Sequence, residues 1–310
     1  MKCLKRFLAV FLLCALFRGA CAQEVRFAPL NSAGDALFLE EGVEQTEASY
    51  RSANIFIQMQ TQRIDRSDVY IAHVYLRTLE CLQRSFGGKG WGRGSEKVAE
   101  LAQKCNAVLA LTGDNGQHLK AGYVVGNGEV LRGRGNNKRD LCVLYTDGTM
   151  QTHYAKVDHK LIAQQAAEGL IWQTFVFGPA LLDEKGKAFE DFSYSDVRAA
   201  NPRAVIGYFE PGHYCLVQID GRGTQSVLEP EKTNKGMTLE QTAQLMESLG
   251  CKAAYNLDGG QSASMYFGSD IISTPYHNGR AVGDAIVICD VQETAAHSEI
   301  YEVSEFEVTD

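Results

Sequence analysis

The segment NLDGGQSASM, Asn256–Met265, constrains the fold more than any other stretch of this 310-residue chain. An apolar run over 251–257 predicts a buried strand, and a second strand is predicted over 262–267. Between the two stands Asp-Gly-Gly, whereas a simple turn needs only one Asp-Gly pair. The sequence therefore predicts two strands joined by a tight connection that also serves as a ligand site.

The residues of this connection have chemistry that suits such a site. Gly259 and Gly260 are expected to expose backbone N–H groups to an anion. Ser262 and Ser264, on one face of the expected second strand, would add hydroxyl donors. Asp258 is a candidate acid, base, nucleophile or metal ligand.

Charged residues also stand at the ends of other short apolar runs. They are Asp114 after 107–111, Arg203 before 204–209, and Asp220 and Arg222 after 214–219. A strand end followed by glycine can hold a side chain rigidly against a ligand. Asp-Gly after a strand is also typical of an ordinary turn, so the residues alone leave both interpretations open.

The remaining pattern predicts a mixture of strands and helices without regular βαβ alternation. Further strands are predicted over 55–61, 69–76, 141–146, 150–154, 174–177 and 285–289, and helices over 95–104, 161–167 and 238–249. Ser95 is the expected cap of the first helix, and Thr238 with Gln241 forms a capping box for the last. We therefore expect an α+β fold, a single domain with mixed β-sheet or sheets flanked by helices.

The N-terminus is typical of an export signal. Three basic residues precede an apolar run over 7–17 that is too short for a membrane span, and Ala20-Cys21-Ala22 fits a cleavage site. The predicted organisation is a signal peptide over 1–22, an irregular arm over 23–50, one domain over 51–290 and an acidic tail over 291–310. We expect an extracytoplasmic location, secreted, periplasmic or at the cell surface; an uncleaved anchor and a lipoprotein attached through Cys21 remain alternatives.

Charge and cysteine content narrow the possible partners. The formal net charge of the chain is −8. The signal carries four basic and no acidic residues, so its removal changes the net charge to −8 − 4 = −12. An acidic chain without a basic cluster argues against nucleic acid, although a few arginines can still hold one phosphate. The six cysteines after residue 22 permit disulfides, and buried thiols remain equally open.

Several motifs, taken in order, resemble the phosphodiester glycosidase family. They are Leu111-Thr112-Gly113-Asp114, Phe177-Gly178-Pro179-Ala180-Leu181, Pro202-Arg203, Ile219-Asp220-Gly221-Arg222, Gly236-Met237-Thr238-Leu239, Asn256-Leu257-Asp258-Gly259-Gly260 and Arg280–Ala285. The resemblance covers most of the chain after the signal. The chain departs from the family at Thr112, Asn115 and Gln261, where asparagine, an aromatic residue and glycine are usual.

The resemblance implies a hydrolase that cleaves between an anomeric carbon and a phosphate oxygen. The expected substrate is a sugar-1-phosphate diester of a surface polysaccharide or related glycan, with N-acetylglucosamine as one candidate sugar. The leaving phosphomonoester needs little help from a general acid, because arginines can stabilise its charge. Asp258 is the expected nucleophile or base, and Asp220 and Asp114 are candidates for the second carboxylate. The expected substrate-binding residues are Arg203, Arg222, Asn256, Gly259, Gly260, Ser262, Ser264 and Arg280.

No cofactor is required for this chemistry. Asp114, Asp220, Asp258 and Asp284 could nevertheless converge on Ca²⁺ or Mg²⁺, which favour oxygen ligands. Two other functions stay open: a phosphodiesterase that breaks the P–O bond of the same substrate, and a non-catalytic glycan-binding protein of the cell envelope. Isotopically labelled water separates the two hydrolases, because its oxygen enters the sugar in one case and the phosphate in the other.

Overall fold

The computed structural model describes residues 27–28, 30, 34–120, 122–135, 139–154 and 157–291. The expected signal peptide and the expected tail after residue 291 lie outside these residues. Within the described ranges, no helix combines the length and apolar character needed to cross a membrane.

Three α-helices and seventeen strands are described. The helices are α1 (Val98–Lys104), α2 (His159–Ala167) and α3 (Leu239–Ser248). The strands are β1 (Glu44–Gln45), β2 (Ser49–Arg51), β3 (Ile55–Ile64), β4 (Ser67–Leu76), β5 (Leu82–Phe86), β6 (Leu109–Thr112), β7 (Gly122–Gly126), β8 (Glu129–Arg134), β9 (Leu141–Tyr145), β10 (Met150–His153), β11 (Ile171–Phe175), β12 (Arg203–Glu210), β13 (His213–Ile219), β14 (Ala253–Asn256), β15 (Met265–Phe267), β16 (Asp270–Ile271) and β17 (Asp284–Ile288).

Two sheets organise the domain. The larger has the strand order β1-β2-β3-β4-β13-β12-β14, and the second has the order β16-β15-β6-β17-β5. Two smaller sheets, β10-β9-β11 and β7-β8, complete the described strands. All pairings between these strands are antiparallel.

The two large sheets face each other across the main core. Residues such as Ile57 and Leu216 from the larger sheet share this core with Leu111 and Ile286 from the second. Their neighbours in sequence point the opposite way: Cys215 and Val217 pack against α3, and Val287 packs against α1. Strands buried on both faces read as continuous apolar runs, which is why these strands were visible in the sequence.

The expected α+β class is confirmed. The sheets differ from the mixed ones expected in that the described strand pairs are antiparallel throughout. The segment expected to be an irregular arm contains β1 and β2, and β2 pairs with β3. Short polar strands of this kind carry little apolar periodicity, so the sequence pattern does not reveal them.

The start of α1 was predicted wrongly. Ser95 was the expected cap, but the helix begins after Lys97, whose N–H donates to the Glu100 carboxylate at 2.7 Å. Glu96 forms an antiparallel β-bridge with Val282, so its backbone is extended and the helix cannot begin at Ser95. The capping box of α3 is confirmed: Gln241 N–H donates to Thr238 Oγ1 at 3.2 Å, and Thr238 N–H donates to Gln241 Oε1 at 3.0 Å.

All six described cysteines have free thiols. The Sγ atoms of Cys215 and Cys251 lie 3.6 Å apart in the core between β12 and α3. Gly207 of β12 lies beneath both sulfurs, since a Cβ there would be 2.6 Å from Cys215 Sγ and 2.8 Å from Cys251 Sγ. The glycine thus makes room for the pair of thiols.

We predict that Thr238→Ala lowers the free energy of unfolding by about 1 kcal/mol, because one N–H of the first turn of α3 loses its acceptor. Urea titration followed by circular dichroism measures the change. Gln244→Ala, at an exposed position of the same helix, is the matched control and should stay within about 0.5 kcal/mol of the wild type. Equal losses in the two variants would contradict the prediction.

Candidate functional site

Three of the expected site residues lie at one edge of the larger sheet. Strands β13 and β14 both run antiparallel to β12, which lies between them. The ends of β13 and β14 and the start of β12 therefore lie at the same edge. Asp220 follows β13, Asp258 follows β14 after one residue, and Arg203 is the first residue of β12.

The second sheet meets this edge through one backbone hydrogen bond. The N–H of Asp258 donates to the carbonyl of Gly113, directly after β6, at 3.1 Å. Gly113 N–H in turn donates to the carbonyl of Asp284, the first residue of β17, at 3.0 Å. A side chain at Gly113 would collide with the Asp284 carboxylate, so only glycine permits this approach.

Asp258 is a nearly buried residue, 5% exposed, and its carboxylate contacts one arginine side chain. Arg280 Nη2 lies 3.1 Å from Asp258 Oδ2, and its side chain is 51% exposed. Burial raises the pKa of Asp258 above its ordinary value, while the hydroxyl of Ser262 and the charge of Arg280 oppose this increase. The carboxylate is thus poorly solvated, which makes its ionised form reactive.

The Gly-Gly turn serves close packing, and the anion contact expected of the Gly259 N–H stays a prediction. Gly260 N–H donates to the Pro202 carbonyl at 2.9 Å, so the expectation that it faces an anion is wrong. A Cβ on Gly259 would lie 2.5 Å from the Pro202 carbonyl oxygen. Gly260 has a φ of +62°, and a Cβ there would lie 2.9 Å from Arg222 Nη2. The turn brings the Arg222 guanidinium over the backbone beside Asp258.

Arg222 is exposed and held by two neighbours. Its Nε donates to Asn201 Oδ1 at 3.0 Å, and its guanidinium carbon lies 5.4 Å from the centroid of the Tyr276 ring. These contacts orient the group without burying it. Arg222 and Arg280 therefore present two exposed guanidinium groups next to the turn that carries Asp258.

The two serines of the motif lie before β15 rather than within a strand, contrary to expectation. Thr112 bends the chain there: its hydroxyl donates to the Ser262 carbonyl at 2.6 Å and accepts the Ser264 N–H at 3.0 Å. Ser262 is fully buried, and its Oγ accepts from Arg280 Nε at 2.6 Å. Ser262 thus positions Arg280 and Asp258. Ser264 is also buried, and its expected contact with substrate stays a prediction.

Asp220 is a second buried carboxylate at the same edge, 1% exposed. Its Oδ2 accepts the N–H of Thr274 at 2.8 Å. Burial raises its pKa to about 6, against the opposing effect of the Thr274 hydrogen bond. A carboxyl group with this pKa can exchange a proton near neutral pH, which suits the acid or base role expected for it.

Asp114 lies deeper, fully buried behind Gly113. Its Oδ1 accepts the N–H groups of Val176 and Phe177 at 2.7 and 2.8 Å. Burial raises its pKa to about 7, and the neighbouring Asp284 adds to this increase while Arg84 opposes it. These contacts make Asp114 a support for the 176–177 segment, and its expected catalytic role stays a prediction.

Arg203 has a structural role in this fold. Its guanidinium is buried, with Nε donating to the Met237 carbonyl at 2.9 Å and Nη2 donating to the carbonyls of Arg198 and Ala199. Burial lowers its pKa to about 10. These donors hold the chain that leads into β12, and the expected contact of Arg203 with phosphate stays a prediction.

Asn256 is completely buried at the end of β14. Its Nδ2 donates to the Gly178 carbonyl at 2.8 Å, and its own N–H donates to the Pro179 carbonyl at 3.0 Å. The side chain therefore fixes the Phe-Gly-Pro segment against the site. Its expected contact with substrate stays a prediction.

The expected convergence of four aspartates on Ca²⁺ or Mg²⁺ stays a prediction. Among the described residues, no group of three or more His, Cys, Asp or Glu side chains is arranged to hold a metal ion. Asp284 is occupied by Arg84, whose Nε and Nη2 lie 2.9 and 2.8 Å from its Oδ2. The sequence analysis predicted neither this ion pair nor the contacts of Asn201 and Tyr276 with Arg222. No local motif links residues that are so distant along the chain.

The fold and this edge define a two-sheet domain that places buried carboxylates beside exposed arginines, an arrangement suited to an anionic ester. The profile of the phosphodiester glycosidase family matches residues 104–289, and the chain belongs to this family. The resemblance seen in the sequence motifs is therefore confirmed.

Two solved structures share this fold at low sequence identity. The catalytic domain of zebrafish N-acetylglucosamine-1-phosphodiester alpha-N-acetylglucosaminidase, auto-inhibited by its pro-peptide, has a TM-score of 0.59 and 20% identity, covering 76% of this chain and 83% of that chain. A hypothetical protein from Synechocystis has a TM-score of 0.58 and 13% identity, covering 79% of this chain and 63% of that chain.

A curated protein is similar in sequence. The SPbeta prophage-derived uncharacterized protein YomE of Bacillus subtilis (strain 168) is 27% identical over 177 residues. Those residues are 54% of this chain but only 25% of YomE.

We predict that Asp114→Asn changes how stability depends on pH. Because the pKa of Asp114 is raised from 3.8 to about 7, the folded state holds a proton that the unfolded state loses, so stability falls as pH rises through this window. The shift corresponds to as much as about 4 kcal/mol at 1.36 kcal/mol per unit. Urea titrations from pH 4 to 8 should show the variant gaining stability relative to wild type as pH rises.

Asp270→Asn, at an exposed position on β16, is the control and should leave the pH dependence unchanged. Parallel stability curves for wild type and Asp114→Asn would contradict the prediction.

Proposed function

We propose that the chain is an exported hydrolase that cleaves the glycosyl C1–O bond of a sugar-1-phosphate diester in a surface glycan. The observation that carries this proposal is the pairing of the poorly solvated Asp258 carboxylate with Arg280, next to the exposed Arg222. A substrate with a negative phosphate beside an electrophilic anomeric carbon matches that arrangement of charges.

The arginines would act on the phosphate. Arg222 is oriented by Asn201 and Tyr276 and Arg280 by Ser262, so both guanidinium groups are organised before substrate binds. Each can donate to phosphate oxygens, and the charge they stabilise grows as the C1–O bond breaks. The phosphomonoester then leaves as an anion with little need for a general acid.

Asp258 would act at the anomeric carbon as nucleophile or as base. When Arg280, still held by Ser262, also donates to the phosphate, its 3.1 Å contact with Asp258 weakens and the carboxylate becomes more basic. The oxygen of water ends on C1, one of its protons is taken by a carboxylate, and the phosphate oxygen keeps the bonding electrons. Asp220, with a pKa of about 6, is the candidate for the second proton-transfer step.

Export rests on the sequence of residues 1–22, and the surface polysaccharide on family resemblance. N-terminal sequencing of the protein recovered from outside the cytoplasm tests export, and a first residue of Gln23 is the expected result. Recovery of the intact N-terminus in the cytoplasm would count against it.

We predict that purified residues 23–310 hydrolyse an N-acetylglucosamine-α-1-phosphate diester, and that Asp258→Asn lowers kcat by about 10²- to 10⁴-fold, the usual contribution of a positioned proton-transfer group. In ¹⁸O-labelled water the label should appear in the released sugar. Asp270→Asn is the matched control and should keep full activity.

Label in the phosphate would reassign the chain as a phosphodiesterase. Binding of the diester by wild type and Asp258→Asn alike, without turnover by either, would indicate the glycan-binding alternative.

We predict that Arg222→Gln lowers kcat/KM for the same diester by about 10- to 100-fold, because a charge-assisted hydrogen bond to phosphate is lost. Arg134→Gln, at an exposed position on β8, should leave kcat/KM unchanged. An Arg222→Gln enzyme as active as wild type would remove Arg222 from the phosphate site.

A further inference from the structure

An open pocket of about 360 Å³ is lined in part by residues that contact Asp114 and Asn256. Its volume falls within the range of about 300–1,000 Å³ typical of small-molecule sites. It is lined by the segments 177–179 and 194–197 together with Arg139 and Asp140.

Both segments continue into residues that hold the candidate site. On one side, Phe177 N–H donates to Asp114 Oδ1, and the Gly178 carbonyl accepts from Asn256 Nδ2 at 2.8 Å. The segment 194–197 continues to 198–199, whose carbonyls hold Arg203, and then to Asn201, which holds Arg222. The segments that line the pocket therefore also support the candidate site, which is the basis for linking the two.

Tyr194 supplies an aromatic surface in the pocket. It is 65% exposed, the largest exposed fraction among the exposed large hydrophobic side chains of the described residues. Its ring lies against the buried ring of Phe192, with centroids 6.3 Å apart, which steadies it. A fixed aromatic ring with a polar hydroxyl is suited to a ligand with apolar C–H faces and hydroxyl edges, as a pyranose has.

Arg139 supplies a cation at the end of the same pocket. The side chain is exposed, and its Nη1 donates to the Phe177 carbonyl at 3.0 Å. The neighbouring Asp140 carboxylate accepts the Ala180 N–H at 3.0 Å, and burial raises its pKa. The anchored guanidinium is thus placed to bind an anionic group of the ligand.

We propose that this pocket is a subsite for the neighbouring sugar unit of an oligomeric glycosyl phosphate. Tyr194 stacks on the sugar ring, and Arg139 binds the next phosphate along the chain. The enzyme therefore selects phosphodiester-linked oligomers over simple diesters. This inference rests on the proposed function and adds to it the length and charge of the preferred substrate.

The test compares two defined probes, a methyl diester of N-acetylglucosamine-1-phosphate and a phosphodiester-linked trimer of the same sugar. Wild type should hydrolyse the trimer with the higher kcat/KM. Tyr194→Ala and Arg139→Gln should each lower kcat/KM for the trimer by about 10-fold, the effect of about 1.4 kcal/mol. Both variants should stay within about twofold of wild type on the methyl diester, where such a contact is not made.

Leu161→Ala and Lys160→Gln, at exposed positions on α2 outside the pocket, are the matched controls and should behave as wild type on both probes. Equal effects of the pocket variants on the two probes, or no effect on either, would overturn the subsite.

A binding measurement separates the subsite from the proposed chemistry. Calorimetric titration of the trimer into Asp258→Asn, alone and combined with Tyr194→Ala, needs no turnover. About tenfold weaker binding by the double variant supports the subsite even if wild type hydrolyses neither probe, which would defeat the proposed function alone. Equal affinity of the two proteins overturns the subsite.

Discussion

The buried ion pair between Arg84 and Asp284 is the constraint on which the rest of the site depends. Asp284 pairs with Arg84 while accepting the N–H groups of Asp114 and Asn115. This fixes the loop after β6, whose Gly113 carbonyl then receives the Asp258 N–H. Such a pair contributes little net stability, yet removing one partner leaves an uncompensated charge. Its effect is to fix where the two sheets meet, and hence where Asp258 lies.

The site separates its charges by depth. The carboxylates of Asp114, Asp220 and Asp258 are buried, and burial raises the pKa of each. The guanidinium groups of Arg222 and Arg280 stay at the surface, held by neutral partners or by one carboxylate oxygen. An anion that arrives from solvent therefore meets Arg222 and Arg280 before the buried carboxylates. The carboxylates remain behind them, at the depth of the turn.

The sequence predicted the parts of this arrangement that depend on local pattern. Strands buried on both faces follow from apolar runs, and the Thr238 cap follows from a short capping motif. The strands β1 and β2 and the true start of α1 could not be predicted, because pairing with distant residues decides them. The structural role of Arg203 could not be predicted for the same reason. Its guanidinium donates to backbone carbonyls, and only the fold defines where those carbonyls lie.

The Gly-Gly turn shows how a correct motif can have an incorrect explanation. Its glycines were expected to offer N–H groups to an anion, yet Gly260 N–H is already bound to Pro202. Both glycines are needed because the Pro202 carbonyl and the Arg222 guanidinium occupy the space of a side chain. The structure therefore explains both glycines by close packing, and the role of the Gly259 N–H stays a prediction. Gln261, where the family usually has glycine, lies one residue beyond this crowded turn, and its carbonyl accepts the Arg280 N–H at 3.0 Å. A side chain is tolerated there because the contact to Arg280 uses only the backbone.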